Sequence, residues 1–304
     1  MRRRVGAGLA ALAAILAAAP AWTKDLTGQP TPGGIDMQPP ASPLRVQAMF
    51  FNDAILTPVL AVIVLFVLAL LIYVMLRFNK RANPTPARFS HNTPVEVLWT
   101  VAPVLILMFF AIFSFRLLYD YHNTPKPDMT IKVTGNQWYW NYEYPELKTA
   151  SGDVSFDSNI LPEPDAHKRG VPYKLAVDNP LVVPAGKTVK VLITGADVLH
   201  SFFIPAFGIQ NTAVPGRVNE TWFRADQPGV YYGQCNELCG VQHAFMPIEV
   251  DVVPQAKFNA WRTAHLQGGT KSAPAVPATQ QSAKPVPANP PAKTVAAASL
   301  AARG

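Results

Sequence analysis

The stretch GVYYGQCNELCGVQHAFMPIEVDVV, residues 229–253, decides how the second half of this chain folds. Runs rich in Val, Ile, Tyr and Phe stand at its two ends, and a loop with Cys235, Cys239, His243 and Met246 lies between them. Short β-branched and aromatic runs are typical of strands. The stretch therefore predicts two strands joined by a loop that gathers thiol, imidazole and thioether groups.

Similar runs extend this pattern from about Thr130 to Val253, with apolar and polar residues alternating and Gly, Pro, Asn or Asp between the runs. This spacing predicts an all-β sandwich or barrel over residues 126–265, with a short closing helix from Pro254 to His265. Residues 267–304 are rich in Ala, Pro and Lys. They lack the apolar content for a core, so this tail is predicted to be disordered.

The first half predicts export and membrane insertion. Residues 1–21 have a basic start, an Ala/Leu run and small residues before Trp22, which indicates a signal peptide; the alternative is a short uncleaved anchor. Residues 22–48 predict an extramembrane lead-in. The apolar stretches 49–76 and 95–119 are long enough to span a bilayer. Pro58 is placed in the first turn of the first span, and Pro103 is expected to bend the second.

The loop 77–94 carries Arg77, Lys80, Arg81 and Arg88 and no acidic residue, which places it in the cytoplasm. The β domain and both mature termini are then expected on the periplasmic side of a bacterial inner membrane. From residue 127 to 253 there are 14 acidic and 9 basic residues, so this region carries −5 of a chain total of +7. An acidic domain disfavours a nucleic-acid binder and favours a basic protein partner.

The two cysteines of the chain lie four residues apart, and a disulfide is the simplest interpretation for an exported protein. A nearby His and Met favour copper instead, because thiolate, imidazole and thioether are ligands that copper prefers. Two thiolates can bridge two copper ions, which then need a second imidazole. Of His167, His200 and His243, we choose His200 because it stands at the end of an apolar strand, before a chain reversal, where a β-sandwich presents its upstream ligand. The last weak ligand is a main-chain carbonyl, most simply that of Glu237.

Several segments resemble subunit II of the bacterial haem–copper cytochrome c oxidases: VEVLWTVAP, GNQWYWNYEY, SFDSN, ADVLHSFFIPAFG, AVPGRVNE and GVYYGQCNELCGVQHAFMPIEV. The resemblance implies two membrane helices and a cupredoxin domain, a Greek-key β-barrel or sandwich. It also implies a dinuclear copper centre, CuA, that accepts electrons from reduced cytochrome c. Haem in subunit I then receives them for oxygen reduction coupled to proton translocation. Subunits I and III, cytochrome c and the lipid bilayer are the implied partners.

The resemblance also implies roles for single residues. Glu237 would bind copper through its carbonyl oxygen and a magnesium or manganese ion, shared with subunit I, through its carboxylate. Trp138 would be the aromatic residue through which electrons enter, although Trp138, Tyr139 and Trp140 could equally be strand packing. Strand alternation predicts that the two tryptophans share one face. Glu96 would stand at the mouth of a proton channel, or simply cap its helix.

Three acidic residues match positions of the family's docking face for cytochrome c: Glu143, Asp157 and Asp197. Each could equally be an ordinary surface acid. The chain departs from the family after AFGI, where Gln210 and Thr212 stand in place of the usual Lys and Asp. A copper-storage protein and the copper subunit of another respiratory reductase are the competing functions. The tail lacks the Met- and His-rich tracts that a storage protein would favour.

Overall fold

The computed structural model describes residues 27–34, 36–85, 87–150 and 152–267. The predicted signal peptide and the tail from residue 268 onward lie outside them. Two long apolar helices and a domain of two β-sheets make up the described chain, which confirms the predicted fold class. The β domain begins at Met129, and its closing helix ends at Leu266.

The first helix, α1, runs from Pro43 to Arg77 and contains a π-helical turn over Phe51–Leu56. It begins six residues earlier than predicted because the Ser42 side chain accepts a hydrogen bond from the Arg45 N–H and Pro43 supplies a preset first turn. Pro58 therefore lies inside the helix and not in its first turn. A proline inside a helix removes one backbone donor, and the wider π turn directly before Pro58 accommodates this loss.

The second helix, α2, spans Thr93–His122 and extends beyond the predicted 95–119 at both ends. Asn92 caps it, since its side chain accepts from the Val95 N–H. Apolar side chains of both helices are exposed along their lengths, as expected for surfaces that face lipid. The helices contact each other where the Phe51 and Phe110 rings pack edge to face at 6.3 Å.

The β domain consists of two five-stranded sheets. The first has the order β3-β2-β1-β5-β8 and the second β4-β10-β9-β6-β7. The strands are β1 (Met129–Asn136), β2 (Tyr139–Thr149), β3 (Gly152–Ser158), β4 (Leu181–Pro184), β5 (Thr188–Gly195), β6 (His200–Ile204), β7 (Ile209–Ala213), β8 (Asn219–Arg224), β9 (Gly229–Cys235) and β10 (Pro247–Val253). Pairs β1/β5 and β4/β10 are parallel, and the other pairs are antiparallel.

The main core lies between the sheets, where alternate residues of β1 and β2 are buried. A second cluster lies on the outer face of β9 and β10, under a segment that we call the strap, residues 159–178. The strap contains the short helix α3 (Glu163–Arg169), and the Ile160–Val177 bridge closes its base. The closing helix α4, Gln255–Leu266, packs Trp261 against Tyr144, with ring centroids 4.9 Å apart. This confirms the predicted helix to within a residue at each end.

One turn joins both membrane helices to the β domain. The 3₁₀ turn Pro205–Phe207 follows β6, and the Ser42 hydroxyl at the start of α1 donates to the Phe207 carbonyl at 2.6 Å. The Tyr121 hydroxyl near the end of α2 donates to the Gly208 carbonyl at 2.7 Å. Because β6 runs from this turn back to His200, the helices hold the strand that presents this histidine.

Candidate metal centre

Strand pairing assembles the site at the end of the domain where β6 and β9 meet. Cys235 is the last residue of β9 and pairs with Phe202 of β6. The loop after Cys235 includes a 3₁₀ turn, His243–Phe245, and returns into β10 at Pro247. His200 begins β6 rather than ending the preceding strand as predicted, because the chain turns over residues 196–199 before β6 starts. This places its ring beside the loop.

Sulfur and imidazole groups converge around Cys239. Its Sγ lies 3.9 Å from Cys235 Sγ, 3.6 Å from His243 Nδ1 and 3.5 Å from Met246 Sδ. Donor atoms of His200, Cys235 and Cys239 all lie within 4.8 Å of one another. Both cysteines are free, and their sulfur separation is far longer than the ~2.05 Å of a disulfide bond. The structure therefore favours a metal site over the disulfide alternative.

Two further contacts fit the donor set to a metal. Cys235 Sγ lies 3.3 Å from the carbonyl oxygen of Glu237, the main-chain group expected as a weak ligand. His200 is fully buried, and its Nδ1 has no hydrogen-bond partner within the part of the chain that the structure describes. Its Nε2 contacts the Asp197 carboxylate at 2.9 Å. A histidine that bonds a carboxylate through one nitrogen and leaves the other free is the usual arrangement of a metal ligand.

The immediate surroundings hold His200 tightly. Gly135 of β1 makes room for the ring, since a Cβ at residue 135 would lie 2.8 Å from His200 Cδ2. Trp140 packs edge to face against the ring at 6.0 Å, and its indole N–H donates to the Met246 carbonyl at 3.2 Å. The site is thus backed by packed β structure rather than by solvent.

Electrostatics favour one ready thiolate. Burial alone would raise the pKa of Cys235, but His200 and the backbone of Ser201 outweigh burial and lower it. Burial and the adjacent Cys235 charge raise the pKa of Cys239. For His200, burial lowers the pKa, yet Cys235 and Asp197 raise it above its usual value overall. A metal must therefore displace the Cys239 proton on binding, which makes affinity depend on pH.

The structure separates the three aromatic residues of GNQWYW. Trp140 is fully buried, whereas Trp138 and Tyr139 are half-buried. Trp138 lies in the hairpin turn between β1 and β2, so the alternation that predicted one shared face with Trp140 does not reach it. Its indole N–H donates to the Cys239 carbonyl at 3.2 Å, and its ring packs beside Gly240. Trp138 is thus the half-buried aromatic residue that contacts the ligand loop.

Gln137, which the sequence argument passed over, also contacts the site. Its side-chain amide donates to the Cys239 carbonyl at 2.8 Å, and its backbone N–H donates to Asp197 Oδ2 at 2.7 Å. Its position directly before Trp138 in GNQWYW is the feature of the sequence that could have indicated this contact. Asp197, predicted as a docking acid, therefore bonds His200 and Gln137.

Other predicted residues lie around this end or away from it. Glu143 forms an ion pair with Lys132 at 3.1 Å, and Asp157 accepts from the Asn141 amide at 2.8 Å. Glu237 is exposed beside the cysteines. Gln210 and Thr212 lie in β7, the first exposed and the second half-buried. Glu96 lies in the first turn of α2 and accepts from the Asn92 N–H at 3.0 Å, and His167 is exposed on α3.

Comparisons with known proteins agree with this architecture. Residues 129–253 match the family model "Cytochrome C oxidase subunit II, periplasmic domain", and residues 30–117 match the transmembrane domain of that subunit. Cytochrome c oxidase subunit 2 of Cereibacter sphaeroides is 42% identical over 271 residues, covering 85% of this chain and 89% of the relative. A probable cytochrome c oxidase subunit 2 of Rickettsia bellii is 47% identical, covering 77% and 84% respectively.

Among solved structures, the periplasmic domain of subunit II of the Bradyrhizobium japonicum cytochrome oxidase is 47% identical. It covers 49% of this chain and 100% of that chain, with a TM-score of 0.44.

Proposed function

Since the chain belongs to the family of cytochrome c oxidase subunit II, we propose that its sulfur and imidazole cluster holds two copper ions. The chain is a membrane protein with two spans and a periplasmic domain, and it is part of a haem–copper oxidase complex. The buried His200 imidazole, with a donor atom within 4.8 Å of two thiols that form no disulfide, is the observation that carries the copper proposal.

Cys235 and Cys239 would bridge the two ions, and each ion would take one imidazole, from His200 or His243. The weak ligands would be the Glu237 carbonyl oxygen, which lies between the two cysteines in sequence, and the Met246 thioether, which follows them. When bound, the copper pair supplies one-electron chemistry between reduced cytochrome c and the haem of subunit I, where oxygen is reduced to water and protons are translocated. Because the ligands are buried and two cysteine sulfurs hold the copper pair, the site would change its geometry little when it gains or loses an electron. A small change in geometry favours rapid electron transfer.

Electron paramagnetic resonance of the purified oxidase tests the copper pair. We expect a signal from one unpaired electron shared equally over two copper nuclei. Cys239→Ser should abolish the shared signal, whereas Ser201→Ala, a neighbour of His200 outside the donor set, should retain it. A mononuclear signal in the unaltered complex would contradict the proposal.

Trp138 is proposed as the residue through which the electron enters. Its half-buried position and its hydrogen bond to the Cys239 carbonyl support this role. Replacing Trp138 by Phe should slow the reduction of copper by reduced cytochrome c at least several-fold while the copper spectrum stays intact. Tyr139→Phe, a change in the neighbouring half-buried ring, is the matched control. Equal electron-entry rates in both variants would move the role away from Trp138.

The docking of cytochrome c is proposed to use the acidic surface near this end, with Glu143, Asp157 and Asp197. Two of these charges are already engaged, by Lys132 and by His200, so Asp157 is expected to contribute most. Asp157→Asn should raise the KM for cytochrome c and weaken its dependence on salt concentration, because complementary charge steers encounter.

The exposed carboxylate of Glu237 is proposed to bind a magnesium or manganese ion shared with subunit I, and Glu96 to lie at the mouth of a proton channel. Glu237→Gln, which keeps the backbone carbonyl, should remove bound manganese but retain copper.

For Glu96, its bond to the Asn92 N–H supports the simpler capping role equally well. Slower proton uptake in Glu96→Gln, with α2 still folded, would separate the channel role from capping. We also propose that subunit III is a partner in the complex. The loop 77–94 would face the cytoplasm, and both termini of the mature chain would lie in the periplasm.

A further inference from the structure

Two loops that are far apart in sequence carry the proposed copper ligands. One loop, residues 196–200, presents His200, and the other, residues 236–246, presents Cys239 and His243. The tip of the β1–β2 hairpin, Gln137 and Trp138, lies against both loops. A hairpin tip formed by two residues has little conformational freedom, because the flanking Asn136–Tyr139 pair closes it.

Gln137 makes one hydrogen bond to each loop. Its backbone N–H donates to Asp197 Oδ2 at 2.7 Å, and the other oxygen of that carboxylate holds His200 Nε2 at 2.9 Å. Its side-chain amide donates to the carbonyl of Cys239 at 2.8 Å. Gln137 thus restrains the His200 imidazole through Asp197, and it restrains Cys239 through the carbonyl group of that cysteine.

The Cys239 carbonyl accepts a second hydrogen bond, from the Trp138 indole at 3.2 Å. Gly240 follows this carbonyl, and a Cβ at residue 240 would lie 3.0 Å from the Trp138 ring and 3.3 Å from Gln137 Nε2. Both donors therefore approach the ligand loop as closely as its backbone allows. The amide of Gln137 also fixes the peptide against which the Trp138 indole is aligned.

We infer that Gln137 is a positioning residue that couples the Trp138 entry point to the cysteine and histidine ligands by bridging their two loops. This inference rests on the proposed copper site. The amide N–H of Gln137 points toward the ligand loop, so its dipole stabilises the reduced state of the site relative to the oxidised state. Losing the donor should lower the reduction potential of the site and loosen Cys239, since hydrogen bonds around ligand groups tune both.

The test replaces Gln137 by Leu in the whole oxidase complex. This change removes the amide donor and keeps the backbone bond to Asp197. We expect an altered copper hyperfine pattern, a lower potential in redox titration, and copper release to a chelator about tenfold faster. The rate of electron entry at saturating cytochrome c should fall while KM stays the same. Gln242→Leu, in an exposed glutamine of the same ligand loop, is the matched control and should match the unaltered complex in every readout.

Two results would overturn the inference. A raised KM with an unchanged spectrum and potential would make Gln137 a docking residue. Wild-type values in all readouts would show that the bridge has no consequence. If the leucine variant does not assemble, Gln137→Ala, which removes the amide donor and adds no charge, takes its place. Absence of the shared-electron signal in the unaltered complex would instead refute the copper pair itself, so the two failures are distinguishable.

Discussion

Met246 shows how a proposed weak ligand is held at the residue scale. Its side chain is 1% exposed, and its Sδ lies 3.5 Å from Cys239 Sγ. The Trp140 indole bonds its carbonyl oxygen, so the backbone is fixed independently of any metal. The thioether can then act on the electronic properties of the site without being needed to assemble it.

We predict that Met246→Leu retains copper but shifts its reduction potential. Leucine nearly matches methionine in volume, so the core should lose less than ~1.5 kcal/mol, while the thioether sulfur is gone. Metal analysis of the purified complex and a redox titration check the two parts separately. Complete loss of copper would show that the thioether is a principal ligand.

Gly135 leaves room for the His200 ring because it has no side chain. A Cβ at this position would lie 2.8 Å from Cδ2 and 2.9 Å from Cγ of His200, closer than real contacts allow. We predict that Gly135→Ala displaces the imidazole and lowers copper content per chain about tenfold or more, a cost typical of disturbed ligand orientation. Gly229→Ala is the control, because a Cβ there would meet Tyr231 at an ordinary 3.5 Å. Full copper content with an unchanged spectrum in Gly135→Ala would contradict this.

At the scale of elements, the strap covers two buried acids of β10, Glu249 and Asp251, each 1% exposed. Glu249 accepts from the Val177 N–H at 2.7 Å, and Arg169 of α3 lies 3.8 Å from its other oxygen. Burial, and then the neighbouring Asp251 charge, raise the pKa of Glu249 to about 8. Burial raises the pKa of Asp251 to about 6. The strap therefore rests on two acids whose pKa values are raised by burial.

This arrangement predicts a stability that depends on pH. Acids with raised pKa values in the folded state bind more protons than they do unfolded, so the contribution of these two acids to stability is greatest at acidic pH and is lost as the pH rises toward about 8. Glu249→Gln should flatten this dependence in thermal unfolding of the chain in detergent followed from pH 5 to 9. The exposed Glu163→Gln in α3 should keep the original slope. A slope that survives Glu249→Gln would assign the dependence to other groups.

At the scale of the whole molecule, the membrane hairpin and the β domain meet at the Pro205–Gly208 turn. Ser42 and Tyr121 bond its carbonyl groups, and the Trp222 indole bonds the Asp120 carbonyl of α2 at 2.9 Å. These bonds attach the helices to the far end of the strand that begins with His200. The height of the site above the membrane is thus set by one strand and its turn.

The closing helix α4 ends at Leu266, with Phe258 and Trp261 already packed into the core. We predict that ending the chain after Gly268 leaves folding, copper content and assembly of the oxidase unchanged, because the core is complete before that residue. Ending it before Trp261 should destabilise the domain by ~3–5 kcal/mol, the usual cost of removing a buried aromatic side chain. Failure of the complex to assemble without residues 269–304 would make the tail a docking element.

The local pattern of residues was sufficient for much of this molecule. Apolar runs predicted both membrane helices, alternation predicted the β domain, and four donors within twelve residues predicted the chemistry of the ligand loop. The structure also brings His200, and not His167, beside the two cysteines. Errors arose at boundaries, where a capping serine moved the start of α1 to Pro43. The β1–β2 turn interrupts the strand alternation at Trp138, which lies outside both strands.

Side-chain type and spacing thus determined which groups were available, because donor chemistry and hydrophobic period belong to the chain itself. Contacts between loops that are distant in sequence carry no such local signal. That Asp197 bonds His200, that Gln137 bridges to Cys239 and that Gly135 admits an imidazole ring all depend on how β1, β6 and β9 are brought together. Folding supplied these relations, since hydrogen bonds of 2.7–2.9 Å require a position that packing of the two sheets alone provides.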